Sequence, residues 1–96
     1  MTNTAQISTA QKNVTTSGTP VQLEALIIPD GAALILKPKS ANTGTITVGS
    51  SSANALNTGT AHFKLEEPMT FQVQNANAVW IDATVSGEGI ELAVEF

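Results

Sequence analysis

The chain has no cysteine, no arginine and no tyrosine, and it holds one histidine and one tryptophan in 96 residues. Without cysteine, disulfides and thiolate-held zinc, haem or iron–sulfur groups are excluded. Without arginine, and with four lysines against eight acids for a net charge of -4, the clustered cations that hold phosphates are missing. Nucleic acid is therefore not an expected ligand. Long apolar runs are missing too. The longest, Ala32 to Leu36, falls far short of the ~20 residues of a spanning helix. The opening MTNTAQISTAQKN has neither a basic start nor an apolar stretch, so neither a secretory leader nor a membrane segment is expected.

What is there is neutral and polar. Thr, Ser, Asn and Gly make up about a third of the chain, yet 42% of residues are apolar and only 12% charged. The apolar share fits a folded domain, and the charged share lies well below the ~25% of ordinary domains. A surface of Thr, Ser, Asn and Gln suits strands and close contacts in assemblies. Area scaling gives roughly 5,200 Å² folded against roughly 14,400 Å² unfolded, so about 64% of the surface is buried. A core of that size gains from a partner or from self-association.

Residues 1–13 are polar and without periodicity, and they read as an N-terminal arm, either frayed or ordered on a neighbouring subunit. From residue 14 to 96 the pattern is that of one β domain. Val21, Leu23, Ala25 and Ile27 share one face of an alternating run, which Leu26 and Ile28 break near its end. Pro29-Asp30-Gly31 is a turn. Ala32–Leu36 is apolar on both faces and predicts a strand covered on both sides, ended by Pro38. A turn at 41–44 leads into a strand with Ile46 and Val48 inward. Residues 49–61 form a small-residue loop anchored by Leu56. Phe63 and Leu65, then Met69, Phe71 and Val73, then Val79, Ile81, Ala83 and Val85, then Ile90, Leu92, Val94 and Phe96 supply further inward faces. Asn75-Ala76-Asn77 is a turn, and Ser86-Gly87-Glu88-Gly89 predicts a hairpin. Seven or eight short antiparallel strands with regular turn signals predict an all-β, single-domain β-sandwich or jelly-roll-like fold.

Little in this chain suggests catalysis. Ser50, Ser51, Ser52, His62 and Asp82 are the only nominal Ser–His–acid set, and no Gly-x-Ser-x-Gly elbow surrounds the serines. His62 falls on the polar side of its strand and reads as solvated. Glu66-Glu67 reads as a solvated bend before Pro68. Asp82, Glu88 and Glu91 lack the D-x-D-x-D spacing of a Ca²⁺ loop. Gly87 and Gly89 precede a strand, so no helix N-terminus awaits an anion. Trp80 is different, because it lies opposite the inward set of its own strand. It is either half-covered by the 49–61 loop or an interface anchor, a role in which Trp is favoured. A sugar platform is a third, thinner option. No enzyme activity, metal or cofactor is expected.

Four stretches carry a resemblance. Ala41-Asn42-Thr43-Gly44-Thr45-Ile46-Thr47-Val48-Gly49 looks like the N-x-G-x-I-x-V-G hairpin of small tailed-bacteriophage virion proteins. Asn75 to Ala83, with its V-x-I-D-A strand, and Gly87-Glu88-Gly89-Ile90-Glu91-Leu92 are similar to that family's closing strands, and Thr19-Pro20-Val21-Gln22-Leu23 to its opening. The likeness spans roughly residues 19–96. The chain departs at Glu66-Glu67-Pro68, where a Gly-containing turn is common in the family. The resemblance implies a capsid decoration (cement) protein on the virion surface, made in the bacterial host cytoplasm. Its partner would be the major capsid protein, and it would form a homo-oligomer, with a trimer favoured. A neck, tail or fibre-base component, or a small glycan-binding module, is the alternative. The family supplies no catalytic residues. The contacts are expected from the arm (Thr2, Gln6, Ile7, Lys12), from Leu56 in the loop and from Trp80.

Overall fold

A computed structural model describes residues 7–95, with side chains from Thr9 onward. The expected β-sandwich is what it shows. Eight strands form two antiparallel four-stranded sheets: β1 (Ile7–Asn13), β2 (Val21–Gln22), β3 (Ala33–Pro38), β4 (Ile46–Gly49), β5 (Phe63–Leu65), β6 (Met69–Phe71), β7 (Trp80–Ala83) and β8 (Gly89–Glu95). The first sheet runs β1-β8-β3-β6 and the second β2-β7-β4-β5. The pairings β1·β8, β2·β7, β3·β6 and β4·β5 nest inside one another along the chain. The core lies between the sheets. Leu34, Leu36, Ile90, Leu92 and Val94 face it from one side, and Ile46, Val48, Leu65, Ile81 and Ala83 from the other. Period-two alternation is clearest in β8, where Ile90, Leu92 and Val94 are buried while Glu91 and Glu95 are exposed.

Several expectations change in three dimensions. The arm assigned to residues 1–13 is, from Ile7 onward, strand β1, paired with β8 through seven residues from Ile7↔Glu95 to Asn13↔Gly89. No periodicity announced it, because Thr9, Ala10, Gln11 and Asn13 are exposed on both of its faces. Backbone bonding rather than apolar burial places this strand. Residues 1–6, with Thr2 and Gln6, lie outside the described residues.

The expected Val21–Ile27 face also breaks. Only Val21–Gln22 is strand; Leu23 is buried, Ala25 exposed and Ile27 73% exposed, while Ile28 is buried. The chain crosses between layers here. Leu23 N–H donates to Val79 O, Leu26 N–H to Asn75 Oδ1 and Ile28 N–H to Gln74 O. That bend shifts the phase by one residue.

Strand β3 is less enclosed than its composition suggests. Leu34 and Leu36 are buried, whereas Ala33 and Ile35 are half-buried on the outer face. The 86–89 turn is not a hairpin, since β7 and β8 belong to different sheets. It carries the chain across the sandwich with Gly87 at φ +88°, a left-handed conformation that favours glycine. Val85, expected inward, is 40% exposed on that crossing. Phe63, also expected inward, is 68% exposed at the end of edge strand β5. The 49–61 loop contains a helical turn, α1 (Ser52–Ala55), capped by the Ser51 hydroxyl, which accepts from Asn54 N–H.

Candidate functional site

The most organised polar cluster lies on the outer face of the second sheet, under α1. Ala55 is the buried residue of α1, and Leu56, the expected anchor, is half-buried at its C-terminal end. Gly49 lets the turn sit directly on the sheet. A Cβ there would lie 2.5 Å from Ala55 N and from Asn54 C. This cover removes two polar residues of the outer face from water. Thr47 donates its hydroxyl to Ala55 O at 2.7 Å. Asp82 is fully buried, although it alternates with core residues on the solvent-side pattern.

Asp82 works as a hub. Its Oδ1 accepts Gly18 N–H (3.1 Å) and Ala83 N–H (2.8 Å), and its Oδ2 accepts Asn57 N–H (2.8 Å). One carboxylate thereby ties the 14–20 connector and the segment after α1 to strand β7. Asn57 Nδ2 adds a bond to Ala83 O at 2.8 Å. A buried carboxylate is stable only when its lone pairs are satisfied, and these backbone donors satisfy them.

The nominal Ser–His–acid set is not assembled. His62 is half-buried, not solvated as expected, with Nδ1 3.0 Å from Leu56 O, while Asp82 bonds backbone amides of other segments. Ser51 caps α1, and Ser50 Oγ accepts from Asn54 Nδ2 at 2.9 Å. Among the described residues no three His, Asp or Glu side chains converge as a metal site. Glu88 instead grips the 41–45 turn. Its carboxylate accepts Thr43 N–H (2.6 Å), the Thr43 hydroxyl (2.9 Å) and Gly44 N–H (2.8 Å). Sequence reasoning missed both carboxylate roles. Apart from the bond to Ala83, the partners of both acids lie 25 to 64 residues away along the chain, so no local pattern signals them.

The bond from Thr43 N–H, helped by those from Gly44 N–H and the Thr43 hydroxyl, lowers the Glu88 pKa below its ordinary value against a smaller opposing effect of desolvation. A lowered pKa means the latch stabilises the fold above the ordinary glutamate range and is lost as pH falls through the folded value. The Thr43 and Gly44 amide resonances are therefore expected to titrate together, with a midpoint below the ordinary glutamate value. Glu88→Gln should remove that titration. A midpoint at or above the ordinary value would contradict the latch.

The remaining interface candidates are divided between the sheets, with Ile7 and Lys12 on β1 of the first and Trp80 on β7 of the second. Lys12 is half-buried and pairs with Glu24 at 2.6 Å. That bond and the Lys12 charge hold Glu24 below its usual pKa. Ile7 lies at the end of β1, in register with Glu95. Trp80 is half-buried, in register between Gln22 and Gly49 on the sheet face that carries α1. Two open grooves complete the exterior. One of ≈ 470 Å³ crosses the outer face of the first sheet between Thr9, Gln11, Ile35 and the Lys37–Glu91 ion pair (3.4 Å). The other, ≈ 240 Å³ and mostly apolar, lies between Phe63, Ala61, Phe71, Val73 and Val79.

No family model, curated protein or solved structure matches the chain. Three of the stretches quoted above come together in the fold. The 41–49 and 75–83 stretches meet as β4 and β7, with Ile46↔Ala83 and Val48↔Ile81 in register. The 87–92 stretch supplies Glu88, which holds the 41–45 turn. Among the described residues no helix is long and apolar enough to cross a membrane.

Proposed function

We propose that this chain is a structural protein of a tailed-bacteriophage virion, a capsid decoration protein that binds the outer shell and stabilises the head. The observation that carries the reading is the nested strand pairing, β1·β8, β2·β7, β3·β6 and β4·β5, in two sheets. We read this order as a jelly roll, a class used by viral capsid and lectin domains. That step is an analogy at the level of fold, since fold alone does not fix function. Three of the four resembling stretches support it by converging into one unit around β4, β7 and Glu88.

The physical role suits the molecule. A decoration protein binds across seams between capsid subunits, and many copies stabilise the shell by mass action and multivalency. It needs a firm β framework and a neutral exterior more than a reaction centre. The major capsid protein is the proposed partner, self-association as a trimer the proposed state, and the Trp80 face the proposed contact. No cofactor enters this role.

Purified protein is expected to co-sediment with heads of its source virus and to saturate at a fixed ratio to major capsid protein. Binding to tails or necks, and not to heads, would move the role there. Absence of binding to any virion part would overturn the proposal. The lectin branch of the same fold class gives a second reading through Trp80, and a tryptophan fluorescence response to glycans in place of virion binding would favour it.

A further inference from the structure

We infer that β1 is an exchangeable strand, and that the β8 edge it occupies is a docking surface for β1 of a second copy of this chain. The inference concerns self-assembly and does not depend on the virion role.

Strand β1 makes an unusual contribution. It matches β8 over seven residues, and the ladder continues as Val14 N–H donates to Glu88 O. Yet Thr9, Ala10, Gln11 and Asn13 are exposed and Lys12 is half-buried, so the described side chains of β1 stand outside the core. Its side-chain ties are the Lys12–Glu24 pair and a bond from Lys39 Nζ to Asn13 Oδ1 (2.7 Å), both at the surface. Backbone bonds with few side-chain constraints are the same whether the strand comes from its own chain or from another. Strands polar on both faces are the ones prone to alternate pairing and swapping.

The connector can open. Val14 is fully buried and travels with β1 as a plug. The turn that follows is closed by Thr19 N–H to Thr16 O, with Gly18 at φ +85°. It is clasped by three side chains: Ser86 Oγ accepts Ser17 N–H, Asp82 Oδ1 accepts Gly18 N–H, and Asn57 Nδ2 donates to Ser17 Oγ. Straightening this turn would carry β1 and Val14 away as one piece. A neighbour's β8 edge and Val14 site would then accept them in the same register. Exchange by an identical element is a low-cost route between monomer and closed oligomer, as a reciprocal pair or a ring.

The register supplies a direct test. Gly89 O accepts the N–H of Lys39, the residue that follows β3, so Gly89 points its backbone away from β1. Residues 91 and 93 then share that orientation, and Thr9↔Ala93 is a non-hydrogen-bonded pair. Such pairs have Cα atoms about 4.5 Å apart, within the range a disulfide accepts. Thr9→Cys and Ala93→Cys are made in one chain and also on separate chains, which are co-refolded at high concentration and oxidised. The double variant should cross-link within the chain; failure to do so would overturn the register on which the inference stands. Separate chains should give the Thr9→Cys/Ala93→Cys heterodimer in several-fold excess over either homodimer. Gln11→Cys with Ala93→Cys, two residues out of register, should give no excess. A cross-link that closes within one chain but shows no such excess between chains would overturn the inference. As a second measurement, deleting Ser17 and Gly18 leaves a connector too short to fold back. Its mass by light scattering should shift from monomer to dimer or higher, and a folded monomer would count against exchange.

Discussion

Asp82→Asn is expected to lower the melting temperature by roughly 10–20 °C, more than a typical surface change. The carboxylate accepts three backbone N–H groups, two on Oδ1 and one on Oδ2. An amide keeps only one acceptor oxygen. Whichever way it is turned, its NH₂ faces a backbone N–H, leaving Gly18 and Ala83 or Asn57 without a partner. An unsatisfied buried donor costs about 1–3 kcal/mol, more where the lost acceptor was charged. In a domain of this size each kcal/mol moves the midpoint by about 4–8 °C. Thermal unfolding followed by circular dichroism checks this. The loss should be accompanied by faster amide exchange at Gly18 and Asn57, the two segments the hub ties down. An unchanged melting temperature would mean the carboxylate is not the clasp.

Gly89→Ala is expected to unseat β1. The added Cβ would run into the Lys12 carbonyl and lie 2.6 Å from Asn13 Oδ1 and 2.7 Å from Asn13 Cα. The conflict is with backbone, which cannot turn aside as a side chain does. Overpacking of a close-fitted site costs about 1–3 kcal/mol. Here the strand can relieve it by leaving. Amides of Lys12 and Val14 should lose protection, and Val14 should become accessible, while the β3–β8 and β4–β7 ladders persist. The same change blocks seating of a second copy's β1, so covalent exchange in the Thr9/Ala93 pair should also fall. Retained protection along β1 would show that this close approach is not required.

The two effects come from opposite kinds of feature. Asp82 acts through the satisfaction of a buried charge, which a contact-poor surface residue could not do. Gly89 acts through the absence of a side chain where two strands come close. Neither belongs to the apolar alternation from which a core is read.

The alternating apolar residues by themselves determined the class of this protein. Ile46 and Val48, Val79 to Ala83, and Ile90 to Val94 repeat every second residue, and that period admits only strands with one buried face. The turn at 29–31 was equally local, since Gly31 adopts φ +84° as its Pro-Asp-Gly setting requires. The lack of cysteine by itself excluded disulfides and thiolate-held metals. Tertiary structure decided the rest. Strand β1 has no periodicity because none of its described side chains, Thr9 to Asn13, is buried, so only the free edge of β8 reveals it as a strand. The helical turn in 49–61 forms where Gly49 leaves room over the sheet, and its cover turns Asp82 from an outward acid into a buried hub. Gly87-Glu88-Gly89 reads locally as a hairpin, but β7 and β8 are in different sheets because each finds its partners far along the chain. Local pattern fixes which faces are apolar; which strands meet, and which polar groups they enclose, depends on pairings between residues distant in sequence.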